Sequence, residues 1–395
     1  MDVCDVAIVG GGPAGSACAR ALVSRGLATM VLDQQNFPRD KVCAGWITPQ
    51  VVAALELSLD DYSRGRVLQP ISAFAVGVLG GQAVDVTYGK TVSYAIRRCE
   101  FDDYLLRRCA APLRLGAPVR DIRFEKGYWL IDDVCRAKFL VGAGGHFCPV
   151  ARRLGADVGR GESAVYAQEI EFAMTEEESR RCQTREAQPE LYFCRDLLGY
   201  GWCVRKGDYL NVGLGRETNR GLAEELRTFW AWLHDIGRVP SASPPHFKGH
   251  AYLLNRRRQR VRTGENVLLI GDSAGMAYDH SGEGIRPAIE SGLMAADAIA
   301  NAIRDNRSSG LYQYERQLDA RFGRRKNYPL SRATRSPATP IPSALRQSIG
   351  RYCLGNRSFV RQIVLDRWFL HRHQPAMRRQ SASETAPVFP AAAGF

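Results

Sequence analysis

The chain has 395 residues, 45% hydrophobic and 24% charged, which excludes a disordered or fibrous protein and allows several packed modules without disulfides or a metal. Its net charge of +13 would suit nucleic acid, a membrane surface or an anionic ligand. However, Arg321 to Arg379 holds 14 basic residues against one acid, Asp366, and the body before it is nearly neutral; this argues against nucleic-acid binding, for which no recognised module is present. Eleven cysteines, an odd number, show no metal-ligand spacing, so no metal is expected, and a reducing cytoplasm is the expected compartment. The chain opens without a basic-then-apolar leader, and no apolar run approaches the roughly 20 residues that span a bilayer.

Asp5 to Val9 is a short apolar, partly β-branched run and reads as a buried strand. Gly10, Gly12 and Gly15 follow as Gly-x-Gly-x-x-Gly, and a small-residue helix is predicted from about Pro13 to Arg25, ended by Gly26. Leu27 to Asp33 reads as the next strand. Here Gly10 permits a tight turn, Gly12 lets backbone amides approach a pyrophosphate, and Gly15 with Ala14 lets the helix pack closely on the sheet. The helix, opened by Pro13, offers unpaired N–H groups and a positive dipole end to phosphates. Asp33, 18 residues after Gly15, is placed to accept hydrogen bonds from a ribose. The segment predicts dinucleotide binding.

Farther on, Asp40 to Trp46 reads Asp-Lys-Val-Cys-Ala-Gly-Trp, with Cys43 either a small buried residue or a group beside a cofactor. Arg98-Cys-Glu-Phe-Asp102 follows, then Leu140 to His146, a strand ending in glycines. Tyr200 and Trp202, at i and i+2, share one sheet face and form either an aromatic wall for an apolar substrate or plain core. Phe229 to His234 reads as the core face of a helix beginning near Leu222. Arg256, Arg257, Arg258 and Arg260 are either a solvated loop or a holder for a nicotinamide-cofactor phosphate. Asn266 to Asp272 is a buried strand ending in Gly271-Asp272. Asp279 and His280 then precede Ser281-Gly-Glu-Gly-Ile285, the start of a helix that runs to about Arg304.

This ordered set, over roughly residues 3 to 310, resembles the FAD-dependent oxidoreductases of the aromatic-hydroxylase superfamily, and within them the geranylgeranyl reductase branch. The resemblance implies FAD, with Gly271 and Asp272 at the ribityl chain and Gly282, Gly284 and Ile285 at a helix N-terminus facing the flavin. It implies that Arg98 approaches the cofactor, that Cys43 and Ala44 pass beside it, and that Val119 belongs to the same site. Trp46, Tyr200 and Trp202 are the implied substrate-pocket residues. Cys43 and His280 are the catalytic candidates, each as a proton donor. Ala44, Trp46, Gly144 and Val204-Arg205 depart from the family pattern, so the pocket wall is expected to be reshaped. The implied activity is alkene reduction on an apolar, prenyl or lipid-like substrate, with electrons from NAD(P)H or another donor. Two alternatives stay open: a monooxygenase acting through a flavin hydroperoxide, and a flavoprotein maturation factor acting on a partner polypeptide.

The expected fold class is α/β. A Rossmann-type FAD-binding domain is assembled from residues 1–69, 96–163 and 255–320, with an inserted, mainly antiparallel β-sheet substrate domain from 70–95 and 164–254. Residues 321–379 form a basic helical C-terminal module and 380–395 a disordered tail. In the module, after a Ser336 to Pro342 linker, Leu345, Ile349, Tyr352 and Cys353 keep helical spacing, and a second helix carries Phe359, Ile363, Trp368 and Phe369. Such basic helices either cap the fold or dock on an anionic membrane or a protein partner, which would make a cytoplasmic protein peripheral at the membrane.

Overall fold

The computed structural model describes residues 1–158, 162–244, 246–255, 260–305, 310–324 and 343–377. Arg256 to Arg258, the Ser336 to Pro342 linker and the tail from 380 lie outside the described residues. The fold class is α/β, as the sequence predicts. Val6–Val9, Thr29–Leu32 and Phe139–Gly142 are each buried without interruption. Runs buried on both faces belong to parallel sheets. Asp2–Val9 is the centre, flanked by Thr29–Asp33 and Cys135–Gly142, with Leu113–Leu115 and Val267–Leu269 outside them, all parallel. Their carboxyl ends therefore share one side, where open α/β sheets bind ligands.

The helix Pro13–Val23 packs along the long helix Ile285–Arg304. Small residues make the approach close: Ala14, Ala17, Cys18 and Ala21 on one, Ala288, Ala295 and Ala296 on the other. Gly292 is required at the crossing, since a Cβ there would lie 2.4 Å from Ala14 O.

A second sheet of seven strands runs Lys248–Leu253, Ala164–Ala173, Tyr209–Arg216, Gly199–Lys206, Glu190–Phe193, Ala73–Val78, Ala83–Thr87, and all its pairings but one are antiparallel. Alternation sorts its two faces. Cys203, Leu210 and Val212 pack under the helix Leu222–Asp235 with Phe229, Trp230 and Leu233, so the Phe229 to His234 stretch is helical core as read. Trp202 and Val204 point the other way, into a cluster with Trp46, Phe74 and Phe369. Ser93–Ile96 leaves this sheet and pairs with Trp46–Ile47 and Leu68–Ile71 in a small third sheet. Gly45 makes the turn, with φ +68° and its O accepting the Ile96 N–H at 2.8 Å.

The C-terminal module consists of the helix Ser343–Gly355, a short turn Arg357–Phe359 and a π-helical stretch Val360–Phe369. Hydrogen bonding from i to i+5 widens the turn, so positions four and five apart share a face. Phe369 is buried as expected, together with Val360, Val364 and Leu365, while Phe359, Ile363 and Trp368 of the expected face are only half-buried. Ile349 and Tyr352 are 49% and 81% exposed, so they do not cap the fold, while Leu354 is buried.

An ion cluster fastens the module to the long helix. Buried Glu290 accepts from Arg286 Nε at 2.9 Å and from Arg321 Nε at 2.8 Å. Arg286 also donates to the carbonyls of His371, Gln374 and Pro375, and Arg321 to that of Pro375. Removing one partner would leave a buried charge uncompensated, at a cost of about 3–5 kcal/mol. Glu290→Ala is therefore expected to lower the urea midpoint markedly, and limited proteolysis should cut first in the loosened C-terminal module.

Candidate functional site

The carboxyl ends of the parallel strands and the aromatic face of the second sheet line one cleft of about 650 Å³, within the ~300–1,000 Å³ range of small-molecule sites. Its floor is the glycine turn. A Cβ at Gly10, φ +120°, would sit 2.2 Å from Ala143 O, and one at Gly15 would strike Gly10 O at 1.9 Å. These two glycines close up backbone. Gly12 is different, because a Cβ there would meet only Arg39 Nη2, at 3.4 Å, and its missing side chain leaves room in the cleft. Gly12 provides no side-chain cap, so the first N–H groups of the Pro13–Val23 helix are left to a ligand.

Arg39 spans this opening. Its Nη2 is 3.2 Å from Asp102 Oδ2, and its Nη1 has no hydrogen-bond partner among the described residues. A helix N-terminus, free volume and an orphaned guanidinium nitrogen are what a pyrophosphate requires, so the site fits a dinucleotide such as FAD. Asp33 lines the cleft with both oxygens in use, Oδ2 accepting the Gly11 N–H at 2.7 Å and Oδ1 that of Gln35 at 2.8 Å. It braces the turn, and its remaining lone pairs are available to a ribose. Ala14, with the turn, and Val119, from another segment, line the same end.

At the second motif, Asp272, Gly282, Gly284 and Ile285 all line the cleft. Gly271 does not; its φ is +58°, a Cβ there would lie 3.0 Å from Ala14 Cβ, and it donates its N–H to Ser291 Oγ at 2.9 Å. The N-terminus of Ile285–Arg304 is less open than its sequence predicts. Glu283 Oε1 accepts the Arg286 N–H at 2.8 Å, and burial pushes this carboxyl up to about 7.

Cys43 sits midway along the cleft, its Sγ 3.4 Å from the Gly45 N–H and its carbonyl accepting from Asn211 Nδ2 at 3.2 Å. Arg98 reaches the cleft wall but is held by Asp102, Nε to Oδ1 2.9 Å and Nη2 to Oδ2 2.8 Å. Beside them stands a pair the sequence reading missed. Lys41 Nζ is 2.5 Å from His250 Nε2, which is itself 3.5 Å from Asp272 Oδ2. Burial pushes Lys41 down to about 8 against the pull of Asp272, and burial with the Lys41 charge pushes His250 down to about 4. Burial would raise Asp272, but the His250 hydrogen bond and Lys41 outweigh it and hold the carboxyl at about 2.

The far end is aromatic. Tyr200 and Trp202 share a face as expected and line the cleft with Trp46 and Ala44. Tyr200 donates to Ser281 O at 2.5 Å and Trp202 to Asn211 Oδ1 at 2.7 Å, so both polar tips are used and the rings present apolar surface. Phe369, from the C-terminal module, packs behind this wall without lining the cleft itself, 5.2 Å from Tyr200 and 6.0 Å from Trp46.

His280 is not brought to the cleft: it is exposed, does not line the cleft, and is stacked on Trp368 with ring centroids 5.0 Å apart. Arg260 is buried and committed to Glu162, His146 O and Ser273 O, so it does not present itself to a nicotinamide phosphate. If the glycine turn and Arg39 hold the pyrophosphate, Arg39→Ala loses a charged hydrogen bond of about 1.5–3 kcal/mol. Titration of the apoprotein with FAD, followed by quenching of flavin fluorescence, should give a Kd roughly 10- to 100-fold higher.

Residues 3–57 match the FAD binding domain family. A chloroplastic geranylgeranyl diphosphate reductase of Oryza sativa subsp. japonica is 31% identical over 347 residues, 80% of this chain and 71% of the relative. A menaquinone reductase of Mycobacterium tuberculosis is 31% identical over 324 residues, 75% of this chain and 77% of that one. Among solved structures, a geranylgeranyl bacteriochlorophyll reductase-like protein of Thermoplasma acidophilum superposes with a TM-score of 0.70 over 95% of this chain and 94% of its own, at 18% identity. The shared cofactor fold, the cradle at Gly12 and Arg39, and this coverage at 31% identity lead to one conclusion: the chain belongs to the geranylgeranyl reductase-like group of FAD-dependent oxidoreductases.

Proposed function

We propose that this oxidoreductase saturates a carbon–carbon double bond in an apolar, prenyl-type substrate. The observation that carries the reading is the aromatic wall of Trp46, Tyr200 and Trp202, backed by Phe369 and continuous with the cofactor cradle in one cleft. Prenyl chains offer only apolar and π surface, and a wall in which Tyr200 and Trp202 have their polar tips paired binds such groups by burial, at about 25 cal/mol per Å². The names of the relatives, reductases of geranylgeranyl diphosphate and of menaquinone, support this substrate class. FAD, once reduced by NAD(P)H or another donor, supplies a hydride. The chain holds the alkene against it, excludes water and delivers a proton. Trp46, braced by Phe369, stands at the apolar end of the cleft, which favours a short or compact prenyl segment over a long extended one.

The reaction is tested by incubating the protein with geranyl, farnesyl and geranylgeranyl compounds and a reductant, with and without O₂, and weighing the products. A gain of two hydrogens without O₂ is the expected result. A gain of one oxygen only in air would replace it with the monooxygenase, and a stable complex with a polypeptide without turnover would replace it with the maturation factor.

The same reading brings the enzyme to its substrate at an anionic bilayer. Exposed Ile349 and Tyr352 project one turn apart beside Arg351, and Arg357, Arg361 and Arg367 are exposed on the same module. Its one acid before Glu384, Asp366, accepts from Tyr88 and Arg372. Arginines worth ~1 kcal/mol each near an anionic surface, with two apolar side chains to insert, suit that partner. Co-sedimentation with phosphatidylglycerol vesicles should be strong for the wild type and nearly lost in the Ile349→Glu/Tyr352→Glu double variant. Phosphatidylcholine vesicles should retain neither.

A further inference from the structure

Behind the cofactor cleft lies a second cavity of about 290 Å³. The two share a wall: Lys41, Cys43, Arg98 and His250 line both. The second cavity is otherwise polar, and its deepest acid is Glu169, 6% exposed and hydrogen-bonded by Asn211 Nδ2 at 3.3 Å. Its neighbour Glu171 is tied to Lys206, Nζ to Oε2 2.6 Å, and to Arg97, Nε to Oε1 3.0 Å. Among the described residues Glu169 has no ion pair, and Lys206 is the cation that acts on it from farther away. A protein that only separated cofactor from solvent would put apolar side chains in such a wall.

We propose that Lys41 and His250 form a proton gate between the second cavity and the cofactor cleft, with Glu169 as the proton store behind it. His250 Nε2 stands between a donor, Lys41 Nζ at 2.5 Å, and an acceptor, Asp272 Oδ2 at 3.5 Å. One ring nitrogen serves only one of them at a time, accepting when bare and donating when protonated. Lys41 Nζ also lies 3.1 Å from His250 Nδ1, so the ring accepts from Lys41 on one nitrogen while the other is able to donate to Asp272, and the ring's tautomer is coupled to the charge of Lys41. The groups facing Lys41 are His250, Asp272, Arg98, Arg39 and Cys43, and the balance of burial and these charges leaves it close to its titration point at neutral pH. Burial likewise pushes Glu169 up to about 8, against Lys206 and its hydrogen bonds, so it carries a proton that Glu171 does not.

The gate rests on the reduction proposed above. Saturating C=C takes a hydride to one carbon, supplied by the reduced cofactor, and a proton to the other. The second C–H bond forms as an Nζ–H bond of Lys41 breaks, leaving a neutral amine. The amine regains a proton from Glu169 across the cavity, which has room for water, and the Glu169 carboxylate regains one from solvent. No electrons cross the gate.

Two measurements test this. In the apoprotein, competitive acetylation of Lys41 against pH, read by mass spectrometry, should titrate near pH 8, and an ordinary lysine midpoint near 10.4 would overturn the gate. In the holoenzyme, the acid form of Lys41 is lost as pH rises, so kcat should fall above about pH 8. Lys41→Arg keeps the positive charge beside Asp272 but does not release a proton. It should bind FAD normally, lower kcat about 100-fold or more with little change in KM, and abolish the alkaline limb. Glu169→Gln should slow turnover about tenfold with FAD affinity intact. A Lys41→Arg enzyme with the wild-type pH profile would refute the proposal. Absence of any alkene product from the wild type would refute the reduction instead, and the apoprotein titration would still judge the gate.

Discussion

The cleft depends on how closely two helices approach each other. Ala14 O and the backbone of Gly292 are near enough to leave no space for a Cβ, and Gly15 is pressed onto Gly10 in the same way. That contact sets the distance between the two helix N-termini, at Gly12 and Gly284, that open onto the cleft. An elongated ligand with a phosphate at one end and a polar ring at the other sees a fixed gap. Interiors are close-packed, so a methyl group at this crossing would be felt at both ends of the ligand. The alanines around it serve the same purpose.

Charge is distributed in two regimes. Inside, nearly every ion is matched: Arg98 with Asp102, Lys206 with Glu171, Arg286 and Arg321 with Glu290, Arg260 with Glu162. Such pairs contribute little net stability against their desolvation but fix geometry, because breaking one leaves an isolated charge. Lys41, Arg39 and Glu169 stand out against this background as the incompletely matched groups of the cofactor region. On the C-terminal module the regime reverses, and arginines face solvent with a single acid among them. The net charge of the whole chain therefore says little about its chemistry.

The glycine motif, the parallel sheet and the Asp272 strand were legible because each is a local pattern whose spacing follows from backbone geometry. The resemblance carried Tyr200, Trp202 and Trp46 to the right face. His250 and Lys41 were not legible, since they meet across more than 200 positions of sequence and neither sits in a periodic pattern. Arg39 gave one usable hint, a cation just after the strand that ends at Asp33. Chain position misled for His280: it lies next to the motif, but its ring is exposed and stacked on Trp368 without lining the cleft. In the C-terminal module Phe369 was legible, but α-helical spacing applied to a π-helical turn chose half-buried Phe359, Ile363 and Trp368 over the buried Val360, Val364 and Leu365.

The clamp around Arg286 has a further consequence. Arg286 and Arg321 grip the C-terminal module mainly by main-chain carbonyls, of His371, Gln374 and Pro375. Every residue has a carbonyl, so this part of the joint recognises the path of the chain, while Tyr278 adds a side-chain grip by stacking on His371 and donating to Gln374 Oε1. Inserting or deleting one residue between 371 and 375 would misalign both. The segment that packs Phe369 behind the aromatic wall is thus fixed in length, so the back of the wall is set by the long helix on which the module is mounted.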